Sequence, residues 1–470
     1  MNKTTNTSQT GVNAEGLTEP SQLQEIVNGF SNFLSVPTSF KITEVDGLTS
    51  PRPNIKGDAN NDLEYSATLS VTAGHDLHSD PPQPRPDPGE LNILAKLKGD
   101  FHGAGLNMIF RPSYGNIRRN NVLEYNVTEE TTQFLEDIGD VHNRGLGRQP
   151  DIILKAVPYM QTVKDMLDAD TGRADRADGG IPIHFESGMF LRTPPTVVRP
   201  GVPKGTISRL ASIPHGTVIN CQGFEPDMKT PKPGSPEIRP ISVLPFPMGS
   251  PEDLVTFADF FPQLNFSRSY ELRIPREIKS GGVLNEPLML DPNRMLEEFN
   301  KNSTKKTIKE HHYFFIHSDP SVSGIPGGGT ANIAFLAGSG ELDGPNGRQQ
   351  NPGPNANGVR VGCEYWISTV EYDVLLPEGD FSGDKKSKVI LESEARKEEK
   401  AAGKIVVSPS FILELDMKIP PSKIVKLEAT QIQYSQNVTL DFDEMGWPHI
   451  SVATLSPLHP VQVPDFKLIL

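Results

Sequence analysis

Along residues 431–442, Ile432, Tyr434, Gln436, Val438, Leu440 and Phe442 occupy every second position. A period of two with one mostly apolar face predicts a β-strand that buries that face. Met445-Gly446-Trp447-Pro448 follows and reads as a turn, after which residues 449–455 are again rich in strand formers. The pattern predicts a hairpin with His449 at the mouth of its second strand. Similar runs at 121–134, 151–164, 183–191 and 208–222 are divided by turn signals. Residues 311–316, 331–337 and 363–375 continue them. Short strands at this spacing predict an all-β barrel or sandwich.

Helical spacing is rarer. Leu23, Ile26, Val27, Phe30 and Phe33 behind a Ser21 cap predict a helix over 21–34. Residues 63–72 alternate weakly and read as a strand. Residues 90–98 suit one or two helical turns, and 291–300 a short helix. Residues 384–404, dense in both charges, read as an exposed helix or a flexible excursion. The first 20 residues read as disordered, and 81–89 is a proline-rich, stiff linker. Residues 338–358 form a long Gly/Asn/Pro loop, of the kind that is functional or mobile. The expected organisation is an N-terminal extension over 1–89 and the first part of the barrel over 90–223. An insertion extending or capping the barrel covers 224–357, and closing strands cover 358–470.

Composition narrows the classes. The chain has 470 residues, 36 % of them hydrophobic, with 43 prolines and 41 glycines, so turns should be many and long helices few. A formal charge of −14 argues against nucleic acid and anionic membranes as partners. No segment has the apolar length of a membrane-spanning helix, and the polar N-terminus lacks the apolar core of a signal peptide. Two distant cysteines, Cys221 and Cys363, do not make a disulfide framework; they fit a reducing cytoplasm and read as small buried hydrophobes.

Candidate chemistry centres on histidine. A neutral imidazole held on a barrel strand, as at His449, is a good ligand for haem iron or another metal; the structural alternative is a residue that only finishes the hairpin turn. His184 and Glu186 share one face of their strand, as a distal pair or as a buried pair satisfied by the sheet. Arg144, beside a turn at His142 and Asn143, could pin a carboxylate or a propionate. His215 sits in a turn. His311 and His317 share a face but are too far apart to hold one metal. Gly327-Gly328-Gly329-Thr330 lacks the lysine of a phosphate loop and reads as a glycine turn.

Four motifs taken in order resemble the nitrobindins, haem-binding β-barrels similar in shape to fatty-acid-binding proteins and lipocalins. Gly99-Asp100-Phe101-His102-Gly103-Ala104-Gly105 is similar to their first-strand pattern, with Phe101 where the family has tryptophan. Ile183-His184-Phe185-Glu186-Ser187-Gly188 is similar to their middle-strand motif. Leu210-Ala211-Ser212-Ile213-Pro214-His215-Gly216 and residues 449–455 look like the strands that follow. The resemblance covers about 250 of the 470 residues and places the chain in a long variant group with large insertions. It implies a mainly β, antiparallel lipocalin-like barrel and a bound haem b. The iron would sit on His449, with His184 distal and Glu186 and Arg144 contributing to the cofactor site. The activity implied is binding of gaseous ligands or handling of peroxide or peroxynitrite. The alternatives are a barrel for an apolar small molecule, and a structural, self-associating protein without a cofactor.

Overall fold

The computed structural model describes residues 91–463 apart from 112–121, 146–150, 168–178, 196–203, 215, 249, 251–252, 254–285, 302–304, 321–325, 333–356, 383–386, 422 and 443–444. The helix expected at 21–34, the strand at 63–72, the linker at 81–89, His215 and nearly all of the 338–358 loop lie outside the described residues.

A short 3-10 turn (Asn92–Lys96) leads into the first strand. The strands of the first half are β1 (Gly99–Arg111), β2 (Val122–Phe134), β3 (Val141–Asn143), β4 (Ile152–Asp165), β5 (Ile181–Thr193), β6 (Thr206–Ser212) and β7 (Thr217–Phe224). Two short pairings, β8 (Lys232–Pro233) and β9 (Phe246–Pro247), precede the helices α1 (Glu286–Leu290) and α2 (Arg294–Asn300). Then come β10 (Lys306–His317), β11 (Gly329–Asn332), β12 (Asn357–Leu376), β13 (Gly379–Asp380), β14 (Ser387–Glu392), α3 (Glu394–Ala401), β15 (Ser410–Leu415), β16 (Lys418–Ile419), β17 (Lys423–Phe442), β18 (Met445–Pro457) and β19 (Val461–Val463).

Ten of these strands close an antiparallel barrel in the order β7-β6-β5-β4-β2-β1-β18-β17-β12-β10. The ring is sealed where His317 of β10 meets Gln222 of β7. At that seam a Cβ on Gly223 would collide with the Phe315 carbonyl oxygen, so the crossing requires glycine. Segment 224–357 contributes β10 to the wall itself. Its helices lie across the outside of β1, β2, β17 and β18: Tyr125 Oη donates to the Met289 carbonyl at 2.7 Å, and Gln433 Nε2 to that of Leu296 at 3.2 Å.

That outer layer explains the core. Leu106, Met108 and Phe110 point away from the lumen yet are buried, together with Ile450 and Val452. The lumen-facing positions in the middle of β1, Gly103, Gly105 and Asn107, are small or polar, and Ile109 follows them. Where β1 begins, the barrel end is filled by Ile93, Leu94 and Leu97 of the 3-10 turn, in one core with Phe101, Phe134 and Phe190. Phe101 and Phe134 meet edge-on with ring centroids 5.7 Å apart.

The long strands β12 and β17 run on past the barrel and pair over their whole length. Their extensions carry Val370, Tyr372, Val374 and Leu427 into a second core with Phe411, Leu413 and Leu415 of β15. The sheet β14-β15-β19 and α3 complete it. Within the charged stretch, the described residues from 387 on hold a strand and then the helix that was one of its two expected forms, whose Ser393 cap accepts a hydrogen bond from Arg396 N. No described helix is long and apolar enough to cross a membrane.

Candidate functional site

A cavity of about 200 Å³ occupies the lumen. Its wall is partly aromatic, with Phe134, Tyr159, Phe190, Tyr365 and Tyr434, and partly charged, with Glu130, Arg209, His184 and His449.

The centre of the wall is an ion pair between neighbouring strands. Glu186 on β5 has no exposure, and Arg209 on β6 is 3 % exposed. Arg209 Nη2 reaches Glu186 Oε1 at 2.6 Å, and Nε reaches the same oxygen at 3.1 Å. Arg209 Nε also donates to Tyr159 Oη at 2.8 Å, and Nη1 donates to Tyr365 Oη at 3.1 Å and Gln436 Oε1 at 2.5 Å. Tyr159 Oη in turn donates a hydrogen bond to Glu186. His184 Nε2 lies 3.2 Å from the second carboxylate oxygen. Burial would raise the Glu186 pKa. The Arg209 charge and the hydrogen bonds from His184 and Tyr159 outweigh it and hold the acid at about 2.

A second carboxylate, Glu130 on β2, is 1 % exposed and set differently. It accepts from Tyr434 Oη at 2.6 Å, Thr128 Oγ1 at 3.1 Å and Gln161 Nε2 at 3.2 Å. Among the described residues no Lys, Arg or His forms an ion pair with it. Burial raises its pKa, against the lowering effect of the three donors and, more weakly, of His184 across the lumen. Gly105 on the adjacent strand makes room for this carboxyl, because a Cβ there would lie 2.8 Å from Glu130 Oε1. Burial also raises the pKa of Tyr159, Tyr365 and Tyr434, keeping the phenols protonated as donors.

The third polar group includes His449. Asn107 Nδ2 lies 2.9 Å from His449 Nε2 and 2.8 Å from Ser451 Oγ, while Asn107 Oδ1 accepts from Asn126 at 3.2 Å. With the amide donating, Nε2 is an acceptor and the ring is the neutral Nδ1–H tautomer.

Three of the four residues singled out in the sequence therefore come together: His449 and His184 line the cavity, and Glu186, on the same face of β5 as His184, bonds the lining side chains of His184, Tyr159 and Arg209. Arg144 does not join them. It lies exposed on the surface, with Nη1 2.6 Å from Asp151 Oδ2, and Asp151 Oδ1 also accepts from Gly145 N. The cation of the lumen is Arg209, which the motifs did not flag; its signal was an arginine at an inward position between the apolar Ile207 and Ala211. Glu130 was equally silent, hidden in the doublet Glu129-Glu130, of which strand geometry must turn one inward. Cys221 and Cys363 are fully buried, with thiols pushed up by burial to about 11 and about 12, and so are inert at neutral pH. His311 bonds the Gly234 carbonyl, and His317 pairs with Asp319. Among the described residues no three His, Cys, Asp or Glu side chains gather as a metal site would require.

These residues do not fit a porphyrin. A cavity of about 200 Å³ is below the range of about 300–1,000 Å³ usual for sites that enclose drug-sized ligands. Hydrogen-bonded polar side chains line its middle, and the His449 nitrogen that would bind iron is held by Asn107.

No family model and no curated protein matches the chain. Among solved structures it is similar to the crystal structure of Rv2717c from M. tuberculosis, at 9 % identity and a TM-score of 0.26, over 78 % of this chain and 97 % of that one. At that similarity the barrel rests on its own strand pairing.

Proposed function

We propose that the chain is a binding protein for a small polar molecule held in the barrel lumen. The observation that carries this reading is the wall itself: a closed barrel of ten strands surrounds a cavity that presents a buried carboxylate, tyrosine hydroxyls and two histidines beside aromatic faces. Pockets with a few placed polar groups on an apolar frame are the usual form of small-molecule sites.

Haem is the competing reading, favoured by the position of His449 on the lumen side of β18. One experiment separates the two. The purified chain is titrated with haem by absorbance and with a library of small polar molecules by calorimetry. The library is repeated on Ser451→Phe, which fills the lumen. Saturable binding of a small polar molecule that Ser451→Phe abolishes is the expected result. A saturable Soret titration, or binding indifferent to Ser451→Phe, would remove the proposal.

A further inference from the structure

The two carboxylates of the lumen differ in what neutralises them, and the difference names a ligand class. Every nitrogen of Arg209 is already committed: Nε to Tyr159 and Glu186, Nη1 to Tyr365 and Gln436, Nη2 to Glu186. A ligand anion entering the cavity would meet a guanidinium whose charge Glu186 already balances. Glu130 is the reverse case. Its oxygens are held by neutral donors, and among the described residues no Lys, Arg or His forms a direct ion pair with it, His184 acting on it only from a distance. Its neighbour Glu129, facing the other side of the sheet, has an imidazole partner: His102 Nε2 lies 2.9 Å away. The outer carboxylate is paired within the fold, whereas the inner one faces a cavity.

Around Glu130 the wall is aromatic. Tyr434 donates to it, Tyr434 lies 6.1 Å from Tyr365 between ring centroids, and Tyr159 and Phe134 lie 6.2 Å apart. Rings of this kind attract a cation to their faces, and a buried carboxylate supplies the charge that fixes it. A cation would also offset the desolvation that an unpaired buried carboxylate carries.

We propose that the lumen ligand is a small organic ammonium, with its charged nitrogen on Glu130 and its carbon frame against the aromatic wall. The inference rests on the lumen-binding reading above and specifies its ligand. Burial fits it too, since a carboxylate without a protein cation gains most from a ligand that brings one.

The test uses the intact chain and two carbon frames, propyl and benzyl, each as the ammonium, the alcohol and the carboxylate, by isothermal titration calorimetry. On at least one frame the ammonium should bind at least tenfold tighter than its alcohol and its carboxylate. Glu130→Gln should erase that advantage. If the alcohol or carboxylate binds as well as the ammonium, or the advantage survives in Glu130→Gln, the cation assignment is overturned while lumen binding stands. If no member of either frame binds, the lumen reading falls and takes this inference with it. The wild-type comparison decides the matter even if Glu130→Gln does not fold.

Discussion

Glu186 and Arg209, on adjacent strands, form an ion pair of 2.6 Å inside the barrel wall with almost no exposure of either side chain. Such a pair adds little over a well-packed apolar substitute, but removing one partner strands the other charge. Arg209→Met should therefore destabilise the chain by about 3–5 kcal/mol. The double variant Glu186→Leu/Arg209→Met should recover a good part of that loss. Urea midpoints at constant slope measure both; a double variant as unstable as the sum of its singles would refute the coupling.

The two lumen carboxylates should pull stability in opposite directions with pH. The Glu186 pKa falls from its ordinary 4.5 to about 2 on folding: burial opposes the change, and Arg209 and its other partners override it. A depressed folded pKa gives stability that is present above about 4.5 and lost as pH falls toward 2. Glu186→Gln should flatten the stability profile in that acid window. The folded pKa of Glu130 is raised by burial, so its contribution has the other sign, present in acid and lost as pH rises through the folded value. Glu130→Gln should flatten the profile above its ordinary range instead. Thermal midpoints from acid to neutral pH, for wild type and both variants, would show whether the windows separate.

How much of this was legible in the sequence depends on what covers each strand. Residues 431–442 alternate openly because their inward positions, Ile432, Tyr434, Val438 and Leu440, are large and apolar. The strand β1 misleads. Leu106, Met108 and Phe110 look like its core face, and they are buried, but under the helices outside the barrel. Its lumen face runs through Gly103, Gly105 and Asn107 to the single large apolar Ile109. A second layer donated by a segment distant in sequence inverts the apparent polarity of a strand, and no local pattern reveals that. The site is split for a related reason. His449, His184 and Glu186 stand out as residue types in motif-like settings, whereas Arg209 and Glu130 acquire meaning only when the ring closes and brings β2, β5, β6 and β17 around one cavity. Arg144 showed the converse failure, since a turn arginine beside an asparagine is equally suited to pinning a surface aspartate.

Close backbone crossings should be intolerant of the smallest side chain. Gly223→Ala would drive a Cβ into the Phe315 carbonyl oxygen at the β7–β10 seam, where the barrel closes. Overpacking of this kind costs about 1–3 kcal/mol, and more where backbone is the obstacle. Gly329→Ala is the control, because nothing lies within 4 Å of its added Cβ. Denaturant unfolding should show a marked loss for the first and almost none for the second; equal effects would contradict the seam.

The imidazole of His449 should report its environment by NMR. With Asn107 donating to Nε2 across 2.9 Å, the ring is expected as the neutral Nδ1–H tautomer. Asn107→Ala removes that donor, and the ring nitrogen shifts should move toward the Nε2–H form common in water. A ring already in the Nε2–H form in the wild type would show that the amide points the other way.

The same geometry governs the haem question. Iron coordination by His449 would use the ring nitrogen that Asn107 occupies, in a cavity of about 200 Å³ lined at its middle by polar side chains. Wild-type chain mixed with haem should therefore give no saturable Soret titration. Asn107→Ala frees the nitrogen without enlarging the aromatic end of the lumen, so it should not create one either. The opposite result has a clear signature: a saturable Soret band in the wild type that His449→Ala abolishes, while the β circular-dichroism signal is unchanged. A proximal ligand supplies a direct bond to iron, so its loss removes the band without unfolding the strand that carries it. Should that signature be found, the lumen must widen when the cofactor enters, and the Asn107–His449 bond would be the first contact to break.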